Sequence, residues 1–304
     1  MPGTREVKRR IKSISSTKKI TKAMQMVSAV KMRKAQSAAL ASRAYSDMAW
    51  QIATNLSHKI DAKHSRFLKQ NKASRKIGII LVTSNKGLVG SFNSNLVSAV
   101  HSYIANSKAE AEVLVEIITV GKKGRDAMLR VGQTIIAEFN KLDKLARMGE
   151  ILPISRLIID EFLQGNYGKI CIAYNHFIST ISQKPVIHEI LPLGKSKGKF
   201  LDIDNARQEK NLPEHYGKYN FEYLFEPNPN KVLDYLLPRI LESQIYQAIL
   251  ESDASENSAR MVMMKNATEA ASDLIDDLTL AYNQIRQANI TKELAEIVAG
   301  MDAV

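Results

Sequence analysis

The stretch MKNATEAASDLIDDLTLAYNQIRQA, Met264–Ala288, sets small and apolar residues at Met264, Ala267, Ala271, Leu274, Leu278, Ala281, Ile285 and Ala288. The steps alternate between three and four, which is the seam of a helix that packs along a second helix over many turns. It lies within a longer run, Lys231–Ala299, in which Pro238 is the last Gly or Pro before Gly300. Nothing in the backbone chemistry after that proline interrupts a helix. At 1.5 Å per residue, a helix of roughly 60 residues reaches about 90 Å. That is longer than a globular domain of this size, so the helix must protrude or run inside something else, and it needs a partner.

The start of the chain supplies a candidate partner. From Thr4 to Ile77 there is neither Gly nor Pro. Val7, Ile11 and Ile14 step by four and three; the apolar phase then slips to Ile20, Met24 and Val27, and later to Ala38, Ala41, Tyr45, Met48 and Ile52. Lys31 and Lys34 fall on that second seam, where charge costs a coiled coil stability, so the choice suggests a purpose other than packing. The reading is a helix of roughly 50 residues, basic in its first half, followed by a polar, Lys-rich linker. Because a domain separates the two terminal helices, an antiparallel pairing is the natural one.

Charge is unevenly placed. The formal net charge is +12, and residues 1–34 hold eleven Lys or Arg against Glu6 alone, a balance of +10. Residues 251–304 hold ten acids and four bases, a balance of −6. Opposite ends suit two helices side by side, a basic face kept for an acidic partner, or plain solvated faces. Cys171 is the one cysteine, which excludes a disulfide framework and fits a reducing compartment. No apolar run approaches the roughly 20 residues needed to span a bilayer, and the basic N-terminus has no apolar core of a signal peptide. The expectation is a soluble intracellular protein.

Character changes at Lys76. The run Ile77-Gly78-Ile79-Ile80-Leu81-Val82 reads as a buried parallel strand. Further strands are expected at Val113–Val120, Gln133–Phe139 and Lys169–Tyr174, with helices at Asn93–Ala105, Lys122–Val131 and Ser155–Leu163, the last capped by its Ser. Strands alternating with short helices indicate a parallel, Rossmann-like α/β layer. Val186–Leu191 adds a candidate edge strand, 194–220 reads as a loop, and Phe221–Phe225 as a last strand. Pro227-Asn228-Pro229-Asn230 restarts the chain as a helix, with Asn230 as its cap. The fold class is therefore α/β, a long antiparallel coiled coil of N- and C-terminal helices with an inserted Rossmann-like parallel α/β domain. The expected divisions are 1–57 (first long helix), 58–75 (linker), 76–226 (α/β domain with variable loop 194–220) and 227–304 (last long helix).

Catalytic motifs fail on inspection. Gly194-Lys195-Ser196 resembles the end of a phosphate loop, but Glu189 stands where its first Gly belongs. Gly121-Lys122 fails with Glu116 at that place and Lys123 where Ser or Thr is needed. Gly87-Leu88-Val89-Gly90 is a turn and not a dinucleotide fingerprint. The six histidines show no metal-ligand spacing, and no Ser sits in a nucleophile elbow. The chain reads as non-catalytic, with no cofactor and no metal. Two rival classes remain: a basic coiled-coil nucleic-acid-binding protein, against which stand the missing aromatics of residues 1–34, and a nucleotide-dependent enzyme, against which stand the failed phosphate motifs.

Three stretches resemble one known family. Ile20-Thr21-Lys22-Ala23-Met24-Gln25-Met26-Val27, followed by Lys31-Met32-Arg33-Lys34-Ala35, looks like the N-terminal helix of the gamma subunit of F-type (bacterial-type) ATP synthases. Val82-Thr83-Ser84-Asn85-Lys86-Gly87-Leu88-Val89-Gly90-Ser91-Phe92-Asn93 resembles that family's first strand and turn. Arg286-Gln287-Ala288-Asn289-Ile290-Thr291-Lys292-Glu293-Leu294-Ala295-Glu296-Ile297-Val298-Ala299-Gly300 resembles its C-terminal signature. Departures are Met301 where the family usually has Ala, Asn85-Lys86-Gly87-Leu88-Val89 for Asp-Arg-Gly-Leu-Cys, Val30 where Ser is common, and the segment 194–220.

The resemblance implies a central rotor shaft without catalytic groups. It would couple proton-driven rotation of the membrane c-ring to ATP synthesis, or ATP hydrolysis to proton pumping, at a ring of alpha and beta subunits. Its terminal helices would stand inside that ring, and its α/β domain would meet the epsilon subunit and the c-ring. It implies no nucleic acid, no direct membrane insertion, and a peripheral place on the cytoplasmic face of the bacterial cell membrane. Carried over by position, Lys22, Met24, Lys31, Arg33 and Lys34 would face beta, as would Arg286, Gln287, Thr291, Glu293 and Glu296. Met24 and Thr291 also fit packing inside the coiled coil, and Glu293 and Glu296 also fit solvated helix charges.

Overall fold

The computed structural model describes residues 4–59, 67, 71, 74–110, 113–141, 144, 146–193 and 229–301. In chain order they form α1 (Thr4–Lys59), β1 (Lys76–Val82), α2 (Phe92–Glu110), β2 (Leu114–Val120), α3 (Lys122–Arg130), β3 (Thr134–Phe139), α4 (Met148–Leu163), β4 (Lys169–Phe177), β5 (Gln183–Leu191) and α5 (Pro229–Met301). The expected last strand at Phe221–Phe225 and the loop 194–220 lie outside the described residues. The chain divides into two compact units, residues 1–30 with 260–304, and residues 31–259. This division by contacts differs in kind from one drawn by element type at residues 57, 75 and 226.

The second unit is built on one sheet in the order β3-β2-β1-β4-β5. β1 pairs with β2 and β4, and β2 with β3, all parallel. The expected parallel layer therefore holds for four strands, while β5 runs antiparallel to β4. The connection from Phe177 to Gln183 spans only 178–182, too short for the crossover a parallel neighbour requires. Period-two alternation explains why β1 is apolar from Ile77 onward: Ile79 and Leu81 pack with Leu96, Val100 and Ile104 of α2 and Met128 of α3. Ile80 and Val82 point the other way, into a cluster with Ile154, Ile158 and Phe162 of α4 and Leu241, Ile245 and Ile249 of α5. A sheet covered on both faces selects continuous apolar runs.

Several boundaries differ from expectation: α2 runs on to Glu110, β4 to Phe177, and β5 starts at Gln183. α4 starts at Met148, seven residues before Ser155, because the Arg147 N–H donates to Glu150 Oε2 at 3.0 Å and caps the first turn. Ser155 is buried inside the helix, donating to the carbonyls of Ile151 and Leu152 at 3.3 and 3.1 Å, and Pro153 lies within the helix and not at its start. α5 begins at Pro229, with Asn230 already helical; proline suits a first helical position, where its missing N–H costs nothing. Within 58–75, Phe67 is buried in the α4–α5 cluster and its carbonyl accepts from Leu193 N at 3.0 Å. Asn71 donates to the Gly165 carbonyl at 2.7 Å.

In the first unit α1 and α5 run antiparallel: Thr21 and Thr268 hydroxyls lie 2.8 Å apart, and Lys18 Nζ donates to Ser272 Oγ at 2.9 Å. The inward face of α1 steps from Val7 through Ile11, Ile14, Lys18, Thr21 and Gln25 to Ser28 without a break. In the second unit Met32, Ala35, Ala39 and Ser42 keep the same spacing along α1. The slip expected from the apolar pattern does not occur. Ile20 and Val27 are 60% and 56% exposed, and Lys31 and Lys34 are exposed off the seam. On α5 the inward positions include Met264, Ala267, Ala271, Ile275, Leu278, Ala281 and Ile285, whereas Leu274 is 50% exposed and Ala288 exposed. Threonine and serine serve this seam because short side chains let the backbones approach and their hydroxyls bond each other or their own helix carbonyls.

Overpacking at a close seam costs about 1–3 kcal/mol. Ser28→Leu should therefore lower the urea midpoint clearly, while Val27→Gln should stay within about 0.5 kcal/mol of the parent. A larger loss for Val27→Gln would return the seam to the apolar stripe.

Candidate functional site

The residues expected to face a partner are placed on two helices and do not converge on a cleft. In the first unit Lys22 is exposed and donates to Gln25 Oε1 at 3.3 Å, and Met24 is half-buried beside the seam. Arg286, Gln287, Thr291, Glu293 and Glu296 are all exposed on the last turns of α5. The Thr291 hydroxyl donates to the Gln287 carbonyl at 3.0 Å, and Lys292 lies 3.7 Å from Glu296. In the second unit Lys31, Arg33 and Lys34 are exposed; burial pushes the Asp253 carboxyl up, and Lys31 adds a small opposing pull to that of Lys141. The structure adds Ile20, Met26, Val27 and Val30, a stripe of exposed apolar residues interleaved with the basic ones. Reading Ile20 and Val27 as seam hid them; carrying the strict heptad on from Val7 would have left them outside.

The carboxyl edge of the parallel strands is where folds of this type bind ligands, and here it is closed. α3 starts at that edge, and its first amides already have partners. Lys122 N donates to Asn85 Oδ1 at 3.3 Å, Lys123 N to the Ser84 carbonyl at 3.0 Å, and Gly124 N to Thr83 Oγ1 at 2.9 Å. Gly121 sits at φ 107°, and a Cβ there would lie 2.4 Å from the Thr83 carbonyl. An anion at this helix terminus would have to displace the protein's own acceptors.

The rest of the edge is covered by α5 through Glu251-Ser252-Asp253-Ala254-Ser255-Glu256-Asn257-Ser258. Lys141, just beyond β3, reaches Asp253 Oδ1 at 2.7 Å and Glu256 Oε2 at 2.8 Å. Asn85 donates its side-chain amide to the Lys141 carbonyl. His176 of β4 lies 2.7 Å from Glu251 Oε2, and Gln247 donates to Glu251 Oε1 at 3.2 Å. The Ser42 hydroxyl of α1 donates to Gln247 Oε1, and Ser258 donates to the Thr180 carbonyl at 2.6 Å. Burial pulls the Lys141 ammonium down, but the two carboxylates together hold it above its ordinary range. Burial pushes the Asp253 carboxyl up against the pull of Lys141. Lys141 lies against both buried anions, so both shifts follow from the same arrangement. Among the described residues no group of His, Cys, Asp and Glu could hold a metal, and no helix is long and apolar enough to cross a membrane.

The family model described as ATP synthase matches residues 3–304. The ATP synthase gamma chain of Roseiflexus castenholzii (strain DSM 13941 / HLO8) is 39% identical over 305 residues, covering 100% of this chain and 99% of that one. The ATP synthase gamma chain of Haemophilus influenzae (strain PittGG) is 40% identical, with 100% of both chains covered. The chain belongs to the ATP synthase gamma-chain family. Solved structures agree in fold. The rotor of Euglena gracilis mitochondrial ATP synthase in rotational state 1 superposes with a TM-score of 0.60 at 20% identity, covering 94% of this chain and 98% of that one. The central stalk and c-ring structure of the Tetrahymena thermophila mitochondrial ATP synthase gives 0.59 at 24% identity, covering 82% and 99%. For this member of the gamma-chain family, the sheet edge is thus a joint closed by its own helix.

Two measurements follow from the closed edge. Removing one partner of a buried ion pair costs about 3–5 kcal/mol, whereas neutralising all members costs far less. Lys141→Met should therefore lower the urea midpoint strongly, and Lys141→Met with Asp253→Asn and Glu256→Gln should recover most of the loss. Calorimetric titration of the chain with magnesium ATP should give no saturable heat; saturable binding would mean the α3 terminus is open.

Proposed function

We propose that this chain is the central rotor shaft of an ATP synthase, itself non-catalytic. The observation that carries the reading is the full-length match at about 40% identity to ATP synthase gamma chains. It is supported by the antiparallel pairing of α1 with α5 and by the partnered amides of α3 at the carboxyl edge. Rotation of a membrane c-ring would turn the chain, and the chain would act on the catalytic sites of surrounding alpha and beta subunits by presenting a different face to each in turn. Hydrolysis of ATP would drive the same motion backwards into proton pumping.

The exposed surface of α1 suits that task. Lys22, Lys31, Arg33 and Lys34 would meet acidic groups of beta, and Ile20, Met26, Val27 and Val30 would slide on apolar ones. Exposed ion pairs contribute about 0–1 kcal/mol each, so contacts can be exchanged at every step without holding the shaft. Met24, Arg286, Gln287, Thr291, Glu293 and Glu296 would complete this contact zone. The epsilon subunit and the c-ring would be met by the α/β part. A chain without an apolar spanning helix among its described residues would sit peripherally, on the cytoplasmic face of the membrane. Nucleic-acid binding is not supported, since residues 1–34 contain no aromatic residue to stack on bases.

Co-expression with alpha and beta subunits of the same organism tests the reading. One copy should purify with the alpha–beta ring, with ATPase activity that depends on it. Val27→Gln with Val30→Gln should fold normally yet reduce the yield of that complex. Recovery of this chain alone, or bound to nucleic acid with a steep salt dependence, would overturn it.

A further inference from the structure

We infer that Lys141, clasped between Asp253 and Glu256, is a positioning residue for rotation: it locks the carboxyl edge of the sheet to α5 so that the two turn as one body. The inference rests on the shaft reading and names the joint at which load passes inside this chain.

Two kinds of contact hold α5 to the sheet in the second unit, and they differ in what they resist. Leu237, Leu241, Ile245 and Ile249 pack on the sheet through an apolar cluster. Apolar packing is non-directional, so it resists separation better than it resists a twist of one element on the other. The polar contacts lie further along the same helix, at 247–258, and each has a fixed partner. Lys141 holds Asp253 and Glu256 at 2.7 and 2.8 Å with its side chain only 7% exposed. A turn or slide of α5 that separated them would leave the buried Lys141 ammonium without the two carboxylates that hold it, the costly state for a desolvated charge. An apolar residue in the same place would lose little by the same movement.

The clasp is also placed where a twist would be felt. Lys141 comes from the end of β3, an outer strand of the sheet, whereas His176 and Thr180 come from β4 and its hairpin on the opposite side of β1. Contacts on both flanks of the sheet edge give a lever arm about the helix axis that a single central contact lacks. Asn85, at the end of β1, ties the Lys141 backbone to the strand between those flanks. Stability alone does not call for this arrangement, because well-packed apolar groups in place of a buried ion pair are often as stable or more so.

The test compares complete ATP synthase carrying the parent chain, Lys141→Met, Lys141→Arg, and the neutral variant Lys141→Met/Asp253→Asn/Glu256→Gln. In membrane vesicles, ATP hydrolysis and ATP-driven proton uptake are read together against a rising opposing proton gradient. The neutral variant should assemble and hydrolyse ATP as the parent does, while its proton uptake per ATP falls severalfold as the gradient rises. Lys141→Met should slip in the same way where it assembles, and Lys141→Arg should stay coupled. A merely structural role would change the amount of complex and not the coupling of each complex. Parent-like uptake per ATP in the neutral variant across the whole gradient overturns the proposal. So does a neutral variant that cannot assemble at all, since the three groups would then serve folding alone. Failure of the parent chain to join alpha and beta would overturn the shaft reading itself, and is seen before any variant is made.

Discussion

Helix α5 must carry residues 240–258 through the interior of the larger unit, and that requirement governs most of what surrounds it. Every residue from Ile240 to Ser258 is buried except the half-buried Tyr246 and Asn257. A helix buried all round is ordinarily apolar all round. This one carries Gln247, Glu251, Asp253, Glu256 and Ser258 into the interior, and groups of that kind are tolerated only where partners meet them. The partners come from far along the chain: Ser42 from α1, Lys141 from the end of β3, His176 from β4 and Thr180 from the β4–β5 turn. The carboxyl edge of the sheet supplies them, and the first amides of α3 at that edge already have protein partners.

A related constraint sets the character of the paired helices. Close approach of α1 and α5 calls for short residues at the contact, so the seam includes Thr21, Ser28, Ala267 and Ala271, with Thr21 and Thr268 bonded across it. Between Lys18 and Ser28 the inward positions of α1 are Lys18, Thr21, Gln25 and Ser28, and apolar side chains of the same stretch are turned outward. Ile20, Val27 and Val30 then form an exposed apolar stripe beside Lys22, Lys31, Arg33 and Lys34. The hidden contact and the outward face are two results of one packing rule. On the shaft reading, the second result is what a rotating surface needs: many weak contacts, none of them retentive.

The chain's contribution to such a machine would be stiffness and surface, with the chemistry left to its partners. Its one thiol, Cys171, is buried beside Tyr103, and burial pushes it up, away from the reactive thiolate form. A charged joint and an apolar core divide the work within the larger unit, the core supplying cohesion and the joint supplying orientation.

Among the described residues, the order of the elements, the parallel core of the sheet and the two long terminal helices were legible in the sequence. They were legible there because strand and helix periods, and the positions of Gly and Pro, are local properties of the backbone. The three matching stretches at Ile20–Ala35, Val82–Asn93 and Arg286–Gly300 also pointed to the family the comparisons bear out. Tertiary structure decided the phase of the α1 seam, the exposure of Leu274, the direction of β5, the start of α4 and the clasp at Lys141. Hydrophobic periodicity shows which face of a helix is apolar, and between Lys18 and Ser28, where polar Lys18, Thr21, Gln25 and Ser28 line the seam, the apolar Ile20 and Val27 are not the buried positions. Lys141 and Glu256 stand 115 residues apart, and no local pattern announces that a lysine in a loop will be dehydrated by two carboxylates of a distant helix. Only the folded chain brings them together, because only there does burial make their pairing obligatory.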